Sequence, residues 1–257
     1  MNTVVDDCAL RMVKPCFVIP VYNHEGAIGA TVASLREFGL PCVLVNDGSN
    51  DACSLVLQYL AREHSDWVHL VVRDDNGGKG AAVKTGLRAA HELGFSHGIQ
   101  VDADGQHNPA DIPQFLRHCE MRPDALICGY PVYDRSVPMV RLLGRYLTHI
   151  WVWINSLSTE IKDSMCGLRC YPLNCAVAMI NEEFHGNRMD FDPEILVRWY
   201  WRGKPLIQVP VNVSYPADGV SHFRGLRDNL LISAMHTRLF FGMLVRLPRR
   251  LTSGPKL

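Results

Sequence analysis

Through the first half of the chain, short apolar runs rich in β-branched residues alternate with longer stretches of helical periodicity. Strands are expected at Cys16 to Ile19, Cys42 to Val45, Val68 to Val72, Gly98 to Val101 and Ala125 to Cys128. Between them, Ala27 to Phe38, Ala52 to Arg62, Gly80 to Leu93 and Ala110 to Cys119 have the length and spacing of helices. Repeated βα units predict an α/β fold with a mainly parallel, doubly wound, twisted sheet flanked by helices. In such sheets ligands bind beyond the carboxyl ends of the strands. Three of those ends carry polar residues: Pro20-Val-Tyr-Asn23, Asn46-Asp-Gly-Ser49 and Asp102-Ala-Asp104. The second half is less regular, with a helix from about Met139 to Leu157, the segment Asp163-Ser-Met-Cys-Gly-Leu-Arg169, a helix near Pro193 to Arg202 and a strand at Leu206 to Val213.

The segment Val101 to Asn108, VDADGQHN, ends an apolar run with two carboxylates one residue apart. Positions i and i+2 of a strand point the same way, so at a strand end Asp102 and Asp104 can converge on a hard cation such as Mg²⁺ or Mn²⁺. A solvated acidic turn gives the same two letters; the neighbouring motifs favour the cation. Gly77, Gly78, Lys79 and Gly80 open a helix, where free backbone N–H groups and an ammonium can approach a phosphate. A glycine-rich helix start that serves close packing explains the same residues. The GxxxxGK[ST] spacing is missing, which disfavours ATP hydrolysis.

Composition narrows the class. The chain has 257 residues, 47% of them hydrophobic and 20% charged, which fits one globular domain of generous size or a domain plus an appendage. Formal net charge is zero, so no global field recruits nucleic acid. Nine cysteines without a CxxC pair, and an amino terminus lacking the features of an export signal, predict reduced thiols in a cytoplasmic protein. Cys16, Cys42 and Cys128 lie in apolar runs and are expected in the core.

Tyr146 to Thr159 carries no Asp, Glu, Lys or Arg over about 14 residues, short of the roughly 18 that suggest a membrane span, and reads as buried or interfacial. Leu226 to Leu247 mixes Leu230, Leu231, Met235, Leu239, Phe240, Phe241 and Leu244 with Arg227, Arg238 and Arg246, and Arg249 and Arg250 follow. Those charges oppose a span. An amphipathic helix is expected there, lying on anionic lipid or packing on the domain or a partner.

Five motifs occur in order: IPVYN (Ile19 to Asn23), NDGS (Asn46 to Ser49), NGGKGAAVKTG (Asn76 to Gly86), DADGQHNP (Asp102 to Pro109) and DSMCGLRCY (Asp163 to Tyr171). Together they resemble the family-2 glycosyltransferases of GT-A fold, and within these the dolichol-phosphate mannosyltransferases and related polyprenyl-phosphate glycosyltransferases. The resemblance runs from about Cys16 to Phe223. It implies a GT-A (Rossmann-like) catalytic domain over residues 14–217, with a donor half of about 14–130 and an acceptor half of about 131–217, followed by the amphipathic helix at 218–250. It also implies metal-dependent, inverting transfer of a sugar from a UDP- or GDP-linked donor by direct in-line attack, peripheral to the inner face of the cell membrane.

By that resemblance Asp104, with Asp102 and Gln106, holds Mg²⁺ or Mn²⁺ at the leaving diphosphate, whose departing charge a Lewis acid absorbs. Asp102, Asp104 and Asp163 are the implied catalytic residues. Pro20, Tyr22, Asn23, Glu25, Val45, Asp47, Lys79, Asp102, Ala103 and Asp104 form the implied nucleotide-sugar site, with the Tyr22 ring near the base. Asp47 would accept hydrogen bonds from base or ribose, as suits a carboxylate; an Asx-turn at Asp47 and Ser49 can hold at the same time. His24 intervenes between Asn23 and Glu25, where the family often has Glu directly, and Asn46 replaces a family Asp. Turn capping is the other reading of Gln106 and His107.

A hydroxyl acceptor generally needs a general base, whereas a phosphate monoester oxygen is already anionic at neutral pH. No acidic ED pair of the family's kind precedes the acceptor helix, which leans towards a lipid phosphate. Asp190, Asp192 and Glu194 in MDFDPEIL are a favourable helix amino terminus or supply a base. The acceptor or phosphate candidates are Arg135, Arg141, Arg145, Arg169, His222 and Arg224. In the helix Met139 to Leu157, Leu143, Leu147, Trp151 and Ile154 follow one face, and Arg141, Arg145 and His149 another. That pattern fits a cationic stripe holding an anionic acceptor, or a core helix with a solvated basic side. Asp163 orients the acceptor or caps a turn, and Arg169 faces a phosphate or a structural carboxylate. Ser221-His-Phe-Arg224 resembles a family loop that closes over donor phosphate. The rivals are transfer to a lipid or glycan hydroxyl with Asp163, Asp190 or Asp192 as base, and a non-catalytic nucleotide-sugar-binding or membrane-scaffolding protein.

Overall fold

The computed structural model describes residues 12–132, 139–213 and 225–253, without the side chains of 139–143 and 249–253. Arg135, His222 and Arg224 therefore lie outside the described residues, as does the Arg141 side chain. The first strands, β1 (Pro15–Val21), β2 (Cys42–Asp47), β3 (Val68–Arg73) and β4 (His97–Gln100), are connected through α1 (Glu25–Leu35), α2 (Asp51–Glu63) and α3 (Lys79–Glu92). Then come α4 (Ile112–Met121), β5 (Leu126–Val132), α5 (Met139–Ser156), β6 (Arg169–Pro172), α6 (Leu173–Glu182), α7 (Phe191–Trp201), β7 (Leu206–Asn212) and α8 (Gly225–Ser253). The strands form one seven-stranded sheet of order β3-β2-β1-β4-β6-β5-β7. Only β6 is antiparallel to its neighbours.

Every residue of β2 is buried, as a parallel strand covered on both faces requires. On one face Val18, Val43 and Val45 pack with Val83 and Leu87 of α3 and Ile195 of α7. On the other, Phe17, Ile19 and Leu44 meet Ile28 of α1, Leu57 of α2 and Phe115 of α4. Cys16, Cys42 and Cys128 are buried, as their apolar surroundings predicted. The strand β6 and helix α6 have no counterpart among the expected elements. The strand is four residues long and starts inside the DSMCGLR motif, and α6 begins at Leu173, directly after the strand, with no side-chain cap at Pro172 to mark it.

Helix α5 is turned opposite to a core helix with a solvated basic side. Thr148 and His149 are buried and Arg145 is half-buried, while Leu147 is 60% exposed and Ile150 49% exposed, with Tyr146, Trp151 and Ile154 also on the outside. Helix α8 packs beside it and adds Ile232, Met235 and Leu239 to the core. Among the described residues Gly225–Pro248 is one stretch long and apolar enough to cross a membrane, which corrects the expectation that its charges exclude this. The central charge is matched inside the protein, because Arg238 Nη2 donates to Glu194 Oε2 of α7 at 2.9 Å.

The loop between α6 and α7 is fixed by Lys84, whose ammonium donates to the His185 and Gly186 carbonyls at 3.0 and 3.1 Å and to Asn187 Oδ1 at 2.6 Å. Burial, and then the Arg198 charge, push the pKa of His185 down to about 4. Its Nδ1 pairs with the Glu183 carbonyl at 2.9 Å, and its buried Nε2 has no partner among the described residues. The folded pKa lies below the unfolded value of about 6.5, so the unfolded chain binds the extra proton between these values. Stability from this group is full above about pH 6.5 and declines as pH falls towards 4. In His185→Gln the thermal midpoint should fall less steeply over that window; equal slopes in both proteins would refute the assignment.

Candidate active site

The first two strand ends are stitched together by amides and hydroxyls. Asn23 adopts a left-handed φ of 52°; its N–H donates to Ser49 Oγ at 3.2 Å, and its Oδ1 accepts from Asn50 N at 2.8 Å. The side-chain turn contact falls on Asn46, whose Oδ1 accepts from Ser49 N three residues on at 3.0 Å, and not on Asp47. Asn50 caps α2 by accepting from Cys53 N at 2.8 Å. Tyr22 is half-buried beside this stitch, Glu25 is exposed in the first turn of α1, and Pro20 is buried in β1. Val45 is 0% exposed and belongs to the core, so its side chain cannot face the crevice.

Asp47 occupies the place the sequence suggested for phosphate. Its Oδ1 accepts from Arg73 Nε at 2.7 Å and Gly77 N at 3.1 Å, and its Oδ2 accepts from Gly78 N at 2.8 Å. Gly78 has φ 97°, a conformation that side-chain-bearing residues avoid. The N–H groups of Gly77 and Gly78 thus bind a buried protein carboxylate, and among these motif residues Lys79 is the one aimed at the acidic corner.

Lys79 Nζ lies 2.7 Å from Asp102 Oδ1 and 3.3 Å from Asp192 Oδ2. His107 Nε2 lies 3.3 Å from Asp102 Oδ2, which assigns a partner to a histidine whose role the sequence left open. Burial alone would raise the Asp102 carboxyl, but the Lys79 charge and the His107 hydrogen bond hold it well below the usual carboxylate range. Burial would lower the Lys79 ammonium, and Asp102 and Asp192 instead raise it well above its ordinary value. Ala103 is buried between the two aspartates, and Thr31 Oγ1 donates to its carbonyl at 3.4 Å. Asp104 is half-exposed; its Oδ1 accepts from Gln106 N at 3.1 Å.

The DSMCGLR segment closes over this corner. A Cβ at Gly167 would collide with the Asp102 carboxylate. Gly167→Ala should therefore displace Asp102 and cut transfer about a hundredfold, as an ångström-scale misplacement does, with an unchanged circular dichroism spectrum. Near-normal activity would refute the contact.

Asp163 anchors the same segment. Its Oδ2 accepts from Arg145 Nε at 2.5 Å and lies 3.2 Å from His149 Nε2. Its Oδ1 accepts from Arg145 Nη2 at 2.8 Å, Met165 N at 2.8 Å and Cys166 N at 2.7 Å. Burial opposes its charge, yet the His149 and Arg145 hydrogen bonds hold the carboxyl well below the usual range. Arg145 and His149 thus form no outward cationic stripe, because both turn inward to this carboxylate. Arg169 is 1% exposed and donates to the carbonyls of Cys166 at 2.9 Å, Asp192 at 2.8 Å and Ser164 at 2.7 Å. It is a structural clamp rather than a surface for phosphate.

The structure thus brings Lys79, Asp102, Asp104, His107, Gly167 and Asp192 together. The Lys79–Asp192 pairing and the contact of Gly167 with Asp102 were not legible from the motifs. The available signals were the carboxylate-rich start of α7, FDPE, and the small residue inside DSMCGLR.

Comparison with known proteins places the geometry in a family. A UDP-N-acetylglucosamine–dolichyl-phosphate N-acetylglucosaminyltransferase of Methanococcus voltae is 25% identical over 215 residues, covering 77% of this chain and 84% of that protein. Glucosyl-3-phosphoglycerate synthase from Mycobacterium tuberculosis, solved with phosphoglyceric acid, shares the fold at a TM-score of 0.63 and 16% identity, over 91% of this chain and 80% of that one. A mannosyltransferase from Pyrobaculum calidifontis, solved with GDP-Man and Mn²⁺, superposes at a TM-score of 0.60 and 15% identity, over 92% of this chain and 65% of the other. The family model of glycosyl transferase family 2 matches residues 16–181, more than half of the chain, and the protein is therefore a glycosyltransferase belonging to that family.

Proposed function

We propose that the enzyme moves a sugar from a UDP- or GDP-linked donor onto a lipid phosphate at a membrane surface, by in-line attack that inverts the anomeric centre. The observation that carries this reading is that Asp163 and Asp192, two carboxylates that could serve as a base, already lie against basic side chains. Asp163 is held by Arg145 and His149, and Asp192 by Lys79 and Arg169. A hydroxyl acceptor needs a carboxylate ready to take its proton, whereas a phosphate monoester brings its own anionic oxygen. The Methanococcus voltae relative, named for dolichyl phosphate, supports the same acceptor class.

The acidic corner fits a hard divalent cation. Among the described residues no group of three or more His, Cys, Asp or Glu side chains could enclose a metal. Mg²⁺ typically uses one or two carboxylates and completes its shell with substrate phosphates and water. Asp104, half-exposed, with Asp102 and Gln106 beside it, would hold Mg²⁺ or Mn²⁺, and the Mn²⁺ of the Pyrobaculum calidifontis structure supports the assignment. When bound, the ion supplies a Lewis acid at the leaving diphosphate. Lys79 adds a fixed positive charge at the same corner, while Asp47, Asn23 and Ser49 hold the nucleotide side of the crevice in shape.

The outward apolar residues of the adjacent helices α5 and α8, among them Leu147, Ile150, Phe241 and Val245, support a membrane surface as the place where the acceptor is met. The cytoplasmic face is the side on which nucleotide sugars would reach it. With UDP- or GDP-sugar, Mn²⁺ and polyprenyl phosphate in vesicles, nucleoside diphosphate and a glycosylated lipid phosphate should appear together. Transfer to a hydroxyl is a second reading, favoured by Asp192 Oδ1, which is buried with no hydrogen-bond partner among the described residues. Equal product from polyprenol would establish it and overturn the first.

A further inference from the structure

Both oxygens of Asp102 are engaged by the protein itself. Oδ1 is 2.7 Å from Lys79 Nζ, Oδ2 is 3.3 Å from His107 Nε2, and Gly167 closes against the carboxylate. Lys79 is held from its other side by Asp192 Oδ2 at 3.3 Å, and Asp192 in turn lies 3.9 Å from the buried Arg169. Asp102, two residues before Asp104, and Asp192 therefore share Lys79 between them, and the Lys79 ammonium sits on a carboxylate expected to bind metal.

Resting on the metal-dependent reading above, we propose that Lys79 is a tethered counter-ion that keeps a divalent cation off Asp102 until a nucleoside diphosphate arrives. The site then takes cation and diphosphate together and not the cation alone. An ammonium at 2.7 Å neutralises Asp102 and repels a doubly charged ion approaching the same oxygen. Releasing it requires another anion, and a diphosphate is one. Lys79 is the first residue of α3, and its flexible four-carbon stem lets the ammonium exchange a carboxylate for a phosphate oxygen. Asp192 limits how far it strays. The exchange returns an oxygen of Asp102 to the corner as the diphosphate brings oxygens of its own, the donor set that Mg²⁺ and Mn²⁺ favour. Lys79 is a positioning residue in this scheme, and its effect is on the order in which ligands bind.

Equilibrium dialysis of the full chain against Mn²⁺ alone, counting ions retained with the protein, tests this without turnover. The wild-type chain is expected to show no saturable uptake, and Lys79→Met to bind one ion per chain at least about tenfold more tightly than wild type. Lys79→Arg, which keeps the cation, should behave as wild type, and Lys79→Met combined with Asp104→Asn should lose the ion. Adding UDP, or GDP in a parallel arm, should give the wild-type chain its ion. Lys79→Gln replaces Lys79→Met if the latter does not fold, and the wild-type comparison with and without nucleotide needs no variant. Saturable uptake of Mn²⁺ alone by the wild-type chain overturns the proposal, as does a Lys79→Met chain that binds no more tightly than wild type. Uptake by no chain under any of these conditions instead overturns the metal-dependent reading beneath it.

Discussion

Replacing Asp104 with asparagine should cut sugar transfer about a thousandfold or more while leaving the thermal midpoint nearly unchanged. A metal ligand at a leaving diphosphate is worth several kcal/mol in the transition state, and about 4 kcal/mol corresponds to that factor. The fold has little at stake. Asp104 is half-exposed, and an asparagine Oδ1 can still accept from Gln106 N, as Asp104 does at 3.1 Å. Turnover with a lipid phosphate acceptor, measured beside a melting curve, checks both halves of the expectation. Retained turnover would remove Asp104 from the metal site. Asp102→Asn should differ, because it also leaves Lys79 and His107 short of their partner, and loss of activity and loss of stability should then arrive together.

The second large effect concerns Asp163. Asp163→Ala removes the carboxylate that Arg145 and His149 contact and opens the turn at Met165 and Cys166. Removing one partner of a buried ion pair costs about 3–5 kcal/mol. For a chain of this size that corresponds to a fall in thermal midpoint of roughly 10 °C. The expected signature is therefore a destabilised protein whose remaining activity follows its folded fraction. Asp163→Asn discriminates further, since it keeps the shape and removes the charge. A normal melting temperature with activity abolished would mark Asp163 as a proton acceptor and restore the hydroxyl-acceptor reading. The pH dependence of stability offers an independent check. Because the folded Asp163 carboxyl lies below its unfolded value, its contribution is present above about pH 4 and is lost as pH falls further.

Much of the donor half was legible because local rules and the global fold agree there. Cys16 to Ile19 and Cys42 to Val45 are continuous apolar runs that only a sheet covered on both faces can bury, and they lie within β1 and β2. The second half was harder to read. The strand β6 is too short to show an alternation and overlaps a motif. The periodicity of α5 separated two faces correctly without saying which one points inward. Hydrophobicity argued for Leu147 and Trp151 inside, yet both are exposed. The buried carboxylate of Asp163 reversed that, because an unmatched charge in the interior costs more than several exposed apolar side chains.

Within the candidate site, residue identity and residue role came apart in the same way. Asp47 and Val45 were expected at the nucleotide and Arg169 at a phosphate or a structural carboxylate, while in the structure Asp47 binds the Gly77 and Gly78 amides, Val45 fills the core and Arg169 clamps three carbonyls. By itself the sequence determined the class of fold, the three strand ends that carry polar motifs and the presence of two carboxylates after β4, because these depend on patterns within about ten residues. Which cation answers which carboxylate was decided only by the tertiary structure. Lys79, Asp102, Gly167 and Asp192 come from four segments of the chain, and electrostatic pairing depends on distance in space, which no local pattern encodes.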